Sequence, residues 1–280
     1  MNITKLTNLF IFLSFLVIVN PVGASVLTDS FHKEISNPAA ITKVTLDNVN
    51  GDCHFFLAQK NRKLKIKATI TIKGSSDEAC ESYYQKVKIN VTRGNKVLKI
   101  VVNRPKTNSF FGLGNSIQMS VDFEISMPVQ KDVSVDLVNG DINVEGMNRV
   151  TVDVVNGDVK MNGITGASIE AVNSRMDIRN VKKWVVIDAV NGRLKLSSIS
   201  PELEKVKAEF VNGSMIVRIP TACLGRLNME SATGSADLKE KKEGEKWKTR
   251  MHGKKIHVSE KGGARISLEN VNGKIILLCD

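Results

Sequence analysis

The amino-acid sequence predicts an all-β chain, organised as a β-solenoid of short repeats. The tripeptide Val-Asn-Gly recurs at residues 49–51, 138–140, 155–157, 190–192, 211–213 and 271–273. Degenerate copies lie at 172–174 and 232–234, and from Gly140 the third position advances by 17, 17, 18, 21 and 21 residues. Apolar and polar residues alternate on both sides of each copy. Together these features indicate strands that recur at a nearly fixed spacing.

Each repeat is predicted to be a strand, an Asn-Gly corner and a second strand. An apolar residue such as Val135 or Val152 lies four positions before each corner, and apolar residues such as Val159 and Met161 follow it. This period of two is typical of strands with one buried face. Asn-Gly favours a tight turn because both residues tolerate positive φ. Units this short cannot bury their apolar face alone, so stacked units would share one core.

Two arrangements of these units fit the pattern. In a solenoid, the units would pair edge to edge, and equivalent corner Asn side chains would stack and satisfy corner amides. A β-sandwich of hairpins also uses Asn-Gly turns. The near-constant spacing, with the same residues on the same side of every turn, favours the solenoid.

Residues 1–24 are predicted to be a signal peptide. Lys5 precedes an almost wholly apolar stretch from Leu9 to Val19, and Val22-Gly23-Ala24 places small residues at a cleavage site. No later stretch is long and apolar enough to span a bilayer. The net charge of +11 would fall to +10 on loss of Lys5. An exported basic protein meets anionic surfaces.

The remaining chain is predicted to have two parts, an N-terminal β part at residues 25–128 and the repeat array at 129–280. In the first part, Leu64 to Ile72 alternates apolar and polar residues. Asp77 to Gln85 is predicted to form a short helix capped by Ser76.

Four cysteines, an even number in an exported chain, predict two disulfides. They are Cys53, Cys80, Cys223 and Cys279. Three pairings are open, and the pairing of nearest neighbours, Cys53–Cys80 and Cys223–Cys279, is favoured. The second bridge would pin the closing unit, which would cap the array. No CxxC spacing occurs, which disfavours zinc binding and thioredoxin-like chemistry.

The repeat pattern resembles a bacterial family of exported β-strand-repeat proteins of adhesin type, a domain family of unknown function. The resemblance rests on Met127-Pro128, on the runs from Val133 to Ile142 and from Gly262 to Ile275, and on the other Asn-Gly units. It extends from about residue 40 to the end. It implies a single-chain β-solenoid with an adhesive or envelope role, and it brings no catalytic residues. The cysteines and a basic insertion depart from the family pattern.

An acidic residue lies three positions before the corner Asn or Thr in every unit. These residues are Asp47, Asp136, Asp153, Glu170, Asp188, Glu209, Glu230 and Glu269. In a stack, adjacent carboxylates would lie about 5 Å apart and repel one another. Solvation and nearby Lys and Arg side chains are the favoured compensation, and bridging calcium is the alternative. The nonapeptide of calcium-binding β-rolls is absent, so no metal site is predicted.

The sequence indicates neither an enzyme nor a cofactor. Its four histidines lack HExxH spacing, and the Gly-x-Ser-x-Gly and phosphate-loop motifs are absent. Cys53 and His54 are adjacent, but successive strand residues face opposite sides of a sheet, which disfavours a nucleophile–base pair. Two Trp and two Tyr are too few for the aromatic platforms of a sugar cleft.

A basic insertion at residues 239–261 is the predicted partner site, because it holds nine Lys and Arg residues against four Glu. The residues predicted to bind a polyanion are Lys246, Trp247, Lys248, Arg250, Lys254 and Lys255. Lipopolysaccharide, teichoic acid, glycosaminoglycan and DNA are polymers of this kind. A solvated loop is the alternative.

The sequence therefore favours an exported, non-enzymatic, adhesin-like binding protein that uses a β-solenoid surface. A periplasmic or envelope scaffold, or a partner-docking protein, is the alternative. The expected partner is a surface or envelope component such as an anionic polymer, with no specific nucleic acid. Self-association through open solenoid ends is compatible with this pattern. The periplasm, the cell surface and the medium all remain open as locations.

Overall fold

The computed structural model of the protein describes residues 25–58, 63–105, 117–198, 200–241, 246–259 and 262–280. The predicted signal peptide, residues 1–24, lies outside these ranges. The described chain is all-β, as predicted, and a single α-helix interrupts its strands.

The strands of the first half are β1 Ser25–Ile35, β2 Lys43–Asn50, β3 Cys53–Leu57, β4 Leu64–Gly74, β5 Lys88–Arg93, β6 Val97–Asn103, β7 Gln118–Met127, β8 Asp132–Asn139, β9 Ile142–Glu145 and β10 Arg149–Asn156. Those of the second half are β11 Val159–Asn162, β12 Gly166–Arg179, β13 Trp184–Ser197, β14 Lys205–Ile219, β15 Leu224–Ser231, β16 Ser235–Glu240, β17 Lys248–Gly253, β18 Lys255–Ser259, β19 Ala264–Asn272 and β20 Lys274–Cys279. The helical elements are α1 Asp77–Tyr84 and the 3-10 turns Pro38–Ala40 and Thr221–Cys223.

Local sequence signals explain the N-terminal elements. In β4, the apolar residues from Leu64 to Ile72 are buried, whereas Lys65 and Lys67 between them are exposed. Helix α1 begins at Asp77 as predicted, and the Ser76 hydroxyl accepts a hydrogen bond from the Ala79 amide at 3.2 Å. This side-chain cap satisfies one of the amides that a helix start leaves without an intrahelical partner.

The strands of the described ranges form one hydrogen-bonded sheet with two ladders, joined at the Asn-Gly corners. The first ladder, on the N-terminal side of the corners, has the order β5, β6, β2, β8, β10, β12, β13, β14, β19, β15, β18. The second has the order β1, β4, β7, β3, β9, β11, β12, β13, β14, β20, β16, β17. Strands β12, β13 and β14 pass through the corner and belong to both ladders.

Equivalent residues of neighbouring repeats pair in parallel and in register. Asn156 pairs with Asn139 on one side and with Asn173 on the other. A sandwich of hairpins would place antiparallel strands on either side of each corner, so that alternative is wrong for these units. The core lies between the two ladders, where inward side chains such as Val135 and Val159 are fully buried.

The closing unit is not the cap of the array, contrary to the prediction. Strand β19 lies between β14 and β15, and β20 lies between β14 and β16. The chain therefore places its last repeat inside the stack, between two repeat units that both come before it in the sequence. Two antiparallel strands, β17 and β18, pair with the outer edges of β16 and β15.

Neither predicted disulfide is present, since Cys53, Cys80 and Cys223 are free thiols. Cys53 pairs in register with Phe123, which pairs with Ala68 on β4, whereas the Cys80 sulfur lies 3.9 Å from the Ile72 carbonyl. Ala68 and Ile72 are four residues apart on one strand, about 13 Å. Since a disulfide needs Cα atoms within about 7 Å, nearness in sequence was the wrong guide. All four side chains are buried.

Candidate binding surface

The corner asparagines form a continuous ladder of side-chain hydrogen bonds. Each Nδ2 donates to the Oδ1 of a neighbouring unit, at 2.9 Å from Asn156 to Asn139 and at 2.9 Å from Asn173 to Asn156. The same bond joins Asn139 to Asn50, Asn191 to Asn173, Asn212 to Asn191 and Asn272 to Asn212. Thr233 continues the row by donating to the Asn272 Oδ1 at 2.7 Å. This ladder bears out the predicted stacking of corner side chains and fixes the register of the repeats.

Glycine at the corner allows neighbouring backbones to approach closely. Gly157 has a φ of +150°, and a Cβ atom placed there would lie 1.8 Å from the Gly140 carbonyl oxygen. A side chain at this position would therefore push two repeats apart. The corner needs Asn for its ladder and Gly for its spacing, which explains why the dipeptide recurs.

The predicted acids form one row on the outer face of the first ladder. Asp136 pairs with Asp47 and Asp153, and the row continues through the other five acids in register. Burial, and then the charges of Asp153 and Asp47, raise the pKa of Asp136. Lys207 pairs with Glu209 at 2.6 Å, and Lys255 with Glu230 at 2.8 Å. Lys207 and Lys255 thus neutralise part of the row.

A row of exposed valines runs beside the acids, and sequence reasoning missed its importance. The valine of each Val-Asn-Gly lies two residues after the acid, so both side chains point to the same outer face. Five valines of this row have exposed fractions between 37% and 46%, namely Val138, Val172, Val190, Val211 and Val271. The signal was present in the sequence, because an apolar residue recurs two positions after each acid, where the alternation calls for a polar one.

We call the surface made by these two rows the valine–acid face. At its far end, Asp188, Glu209, Val211, Glu269 and Val271 line a shallow groove of about 390 Å³. On the valine–acid face, apolar side chains lie next to carboxylates from one repeat to the next. A surface that repeats every strand, about 4.8 Å, can contact one extended partner at many equivalent points.

The basic insertion that holds the predicted polyanion site forms two strands, β17 and β18, and is not simply a loop. Lys248 and Arg250 lie on β17, and Lys255 on β18, the two strands that cover the far edges of the ladders. Arg250 pairs with Glu240 at 2.6 Å, and the Arg218 guanidinium lies 5.9 Å from the centre of the Trp247 ring.

Some side chains of the predicted site therefore already have partners within the chain. Lys246 and Lys254 are exposed, while Lys242 and Lys261 of the basic insertion lie outside the described residues. The six predicted residues, Lys246, Trp247, Lys248, Arg250, Lys254 and Lys255, lie on β17, on β18 and in the segments just before these two strands. Their role in polyanion binding stays a prediction.

Asp237, on β16, is the buried acid of this region. His252 and Lys274 approach its carboxylate, and the hydrogen bond from His252, followed by that from Lys274, lowers its pKa. The three residues lie on β16, β17 and β20, so their contacts join the covering strand to the array. Within the described ranges no group of His, Cys, Asp and Glu could hold a metal ion.

The described residues contain no helix with the length and apolarity that a membrane crossing requires. No protein-family model and no curated protein matches the chain.

Among solved structures, a provisionally assigned cell adhesion protein from Clostridium sporogenes is similar, with 14% identity, 91% of this chain and 100% of that chain covered, and a TM-score of 0.35. A provisionally assigned adhesin from Bacteroides fragilis has 12% identity, coverage of 90% and 97%, and a TM-score of 0.41. A provisionally assigned lipid binding protein from Parabacteroides distasonis has 9% identity, coverage of 90% and 97%, and a TM-score of 0.35. Likeness at this level carries no argument about function, which has to come from the geometry of this chain.

Proposed function

We propose that this chain is an exported, non-enzymatic, adhesin-like binding protein whose parallel ladders form a β-solenoid. The observation that carries the proposal is the valine–acid face, on which exposed valines and acids lie in register from one repeat to the next. Soluble proteins seldom expose a contiguous apolar surface without a partner. The division of the chain into residues 25–128 and 129–280 belongs to the same proposal.

A binding role agrees with the chemistry of the face. The valines exclude water over a narrow strip, while the acids beside them favour a partner with positive or hydrogen-bond-donating groups. Each repeat contributes a small, equivalent contact, so affinity grows with the number of repeats engaged. Catalysis would need acids or bases that converge, whereas these acids form a straight row.

The location of the protein is tested by its accessibility on intact cells. A tagged protein is expected to be cleaved by an added protease, and bound by antibody, without lysis. Protection until lysis would contradict the adhesive role. It would favour the envelope scaffold or partner-docking protein instead.

Adhesion itself is tested with the double variant V190T/V211T. Threonine keeps the β-branched shape but replaces one methyl group with a hydroxyl, so cells that display this variant should attach to polystyrene several-fold less than wild-type cells. The matched control is V186T, on the same strand as Val190 but outside the valine row. Equal attachment by cells with and without the protein would sink the proposal.

A further inference from the structure

Three cations occupy one row on the outer face of the first ladder. Lys205 on β14 pairs in register with Arg265 on β19, and Arg265 pairs with Arg226 on β15. All three side chains are exposed. Because neighbouring strands lie about 4.8 Å apart, the three positions fall within about 10 Å. We call this set the basic row.

No carboxylate of the described residues forms an ion pair with the basic row, although acids lie on the same face. Glu269 accepts hydrogen bonds from Ser267 at 3.0 Å and from Asn228 at 3.4 Å. Glu209 is paired with Lys207. These two acids are thus engaged by the side chains that lie between them and the basic row. Glu204, which precedes Lys205, is paired with Lys183.

Adjacent like charges in a sheet repel one another, so the basic row costs stability unless an anion offsets it. A cavity of about 180 Å³ lies over the row, and its lining includes the three cations, Lys207 and His257. Most of the surface that faces this cavity is apolar, so the charge comes from the ends of the cationic side chains. It is smaller than the ~300–1,000 Å³ of pockets for drug-sized ligands. A small anionic group therefore fits the space and the charge better than a whole small molecule.

We propose that the basic row is a binding site for a phosphate or sulfate group carried by a larger anionic molecule. The two guanidinium groups can each bind oxygen atoms of such a group bidentately, and the ammonium of Lys205 adds a point charge. The site does not depend on the valine–acid face, so either proposal can fail without the other.

The chain path creates this site. Arg265 reaches the row only because β19 inserts between β14 and β15. A bulge at Gly225 sets the register of Arg226, and a Cβ atom at Gly225 would lie 2.1 Å from the Gly262 carbonyl oxygen. The three cations of the basic row lie outside the basic insertion at 239–261.

The test compares R226Q/R265Q with the matched control R175Q/R193Q. Arg175 and Arg193 are also exposed, in register on adjacent strands, and without an ion pair in the described residues, but they lie on the second ladder next to Asp158. Both variants remove two positive charges. Unfolding midpoints equal to or above that of wild type confirm that each variant is folded.

The probes are inorganic phosphate and inorganic sulfate by calorimetry, dextran sulfate against uncharged dextran, and phosphatidylglycerol vesicles against phosphatidylcholine vesicles. We expect R226Q/R265Q to weaken binding of at least one charged probe by about tenfold or more, and to reduce its salt dependence, because charge-assisted contacts are lost. The control should stay within about twofold of wild type, since only screened, long-range attraction changes.

Tight binding of dextran sulfate alone would identify a polysaccharide source, and tight binding of the anionic vesicles alone would identify a lipid headgroup. Either result supports the site. Equal weakening by both variants would overturn it, because anions would then bind through net charge. Failure of every charged probe to bind the wild-type protein would overturn it as well.

Discussion

Arg265 lies directly beside Lys205 in the first ladder, although one repeat unit, β15 with β16, and the covering strands β17 and β18 separate their strands along the chain. The closing unit is therefore an interior layer of the stack. Its two strands contribute the buried residues Ile266, Leu268, Ile275 and Leu277. This position has consequences for stability that a terminal cap would not have.

A chain that ends at Gly263 is expected to be insoluble or unfolded. Removing β19 and β20 leaves β14 and β15 without their shared partner and opens the core between them. Sedimentation and circular dichroism of the purified truncated chain measure this outcome. A soluble chain with a cooperative unfolding transition would show that the closing unit is dispensable, as a cap could be.

Asn156→Ala should lower the free energy of unfolding by about 1–3 kcal/mol, since two bonds of the Asn ladder are lost and their partners are left unpaired. Urea denaturation measures the change. The control is Asn143→Ala, an outward-facing position of the neighbouring unit, which should change stability far less. Equal losses for both variants would contradict a structural role for the ladder.

Gly157→Ala should destabilise the protein by about 2 kcal/mol or more, because its backbone adopts a positive φ and the new Cβ meets a neighbouring carbonyl. Thermal unfolding measures the effect. At Gly253 the nearest atom to a new Cβ lies 3.6 Å away, an ordinary contact, so Gly253→Ala serves as the control. A Gly157→Ala midpoint equal to that of the control would argue against a strained corner.

Asp136→Asn should raise stability at pH 7. Folding raises the pKa of Asp136 above its ordinary value of 3.8. The folded state therefore binds the proton more tightly, and stability falls as pH rises from 3.8 through the raised pKa. Urea midpoints at pH 7 and pH 3 should show a gain only at the higher pH, where the wild-type carboxyl is charged.

Asp177 provides the opposite case for this comparison. Its hydrogen bond from Arg179 lowers its pKa, so its contribution is present above the ordinary pKa and is lost as pH falls through the lowered one. Asp177→Asn should therefore not stabilise the protein at pH 7. A destabilised Asp136→Asn variant at that pH would mean that the acid row is held by an attractive contact.

Cys53 should resist thiol reagents in the native protein. Burial raises the pKa of its thiol to about 12, and the thiolate is the reactive form. Alkylation followed by peptide mass analysis should modify Cys53 only after unfolding. Rapid modification under native conditions would show that the first corner opens readily.

The sequence identified the elements whose signals are local. Alternation predicted β4, the Ser76 cap predicted α1, and the recurring Asn-Gly corners predicted parallel, stacked repeats with their acids in one row. These predictions succeed because period-two burial, capping and turn geometry depend on residues within a few positions of one another.

The sequence could not supply the order of the strands. The pairing of cysteines and the capping role of the closing unit were both inferred from nearness along the chain, and both inferences are wrong. Strand neighbours are chosen by edge pairing and by the packing of the common core. These interactions are not recorded in the distance between residues along the chain.

By itself, the sequence determined the repeat, its corner chemistry and the inward and outward faces of each strand, because each follows from local backbone geometry. Only the tertiary structure decided that β19 and β20 lie inside the stack, and so that Lys205, Arg265 and Arg226 form one row. The physical reason is that any repeat with the same corner and apolar phase can pair with any other. Which two become neighbours depends on the path of the whole chain.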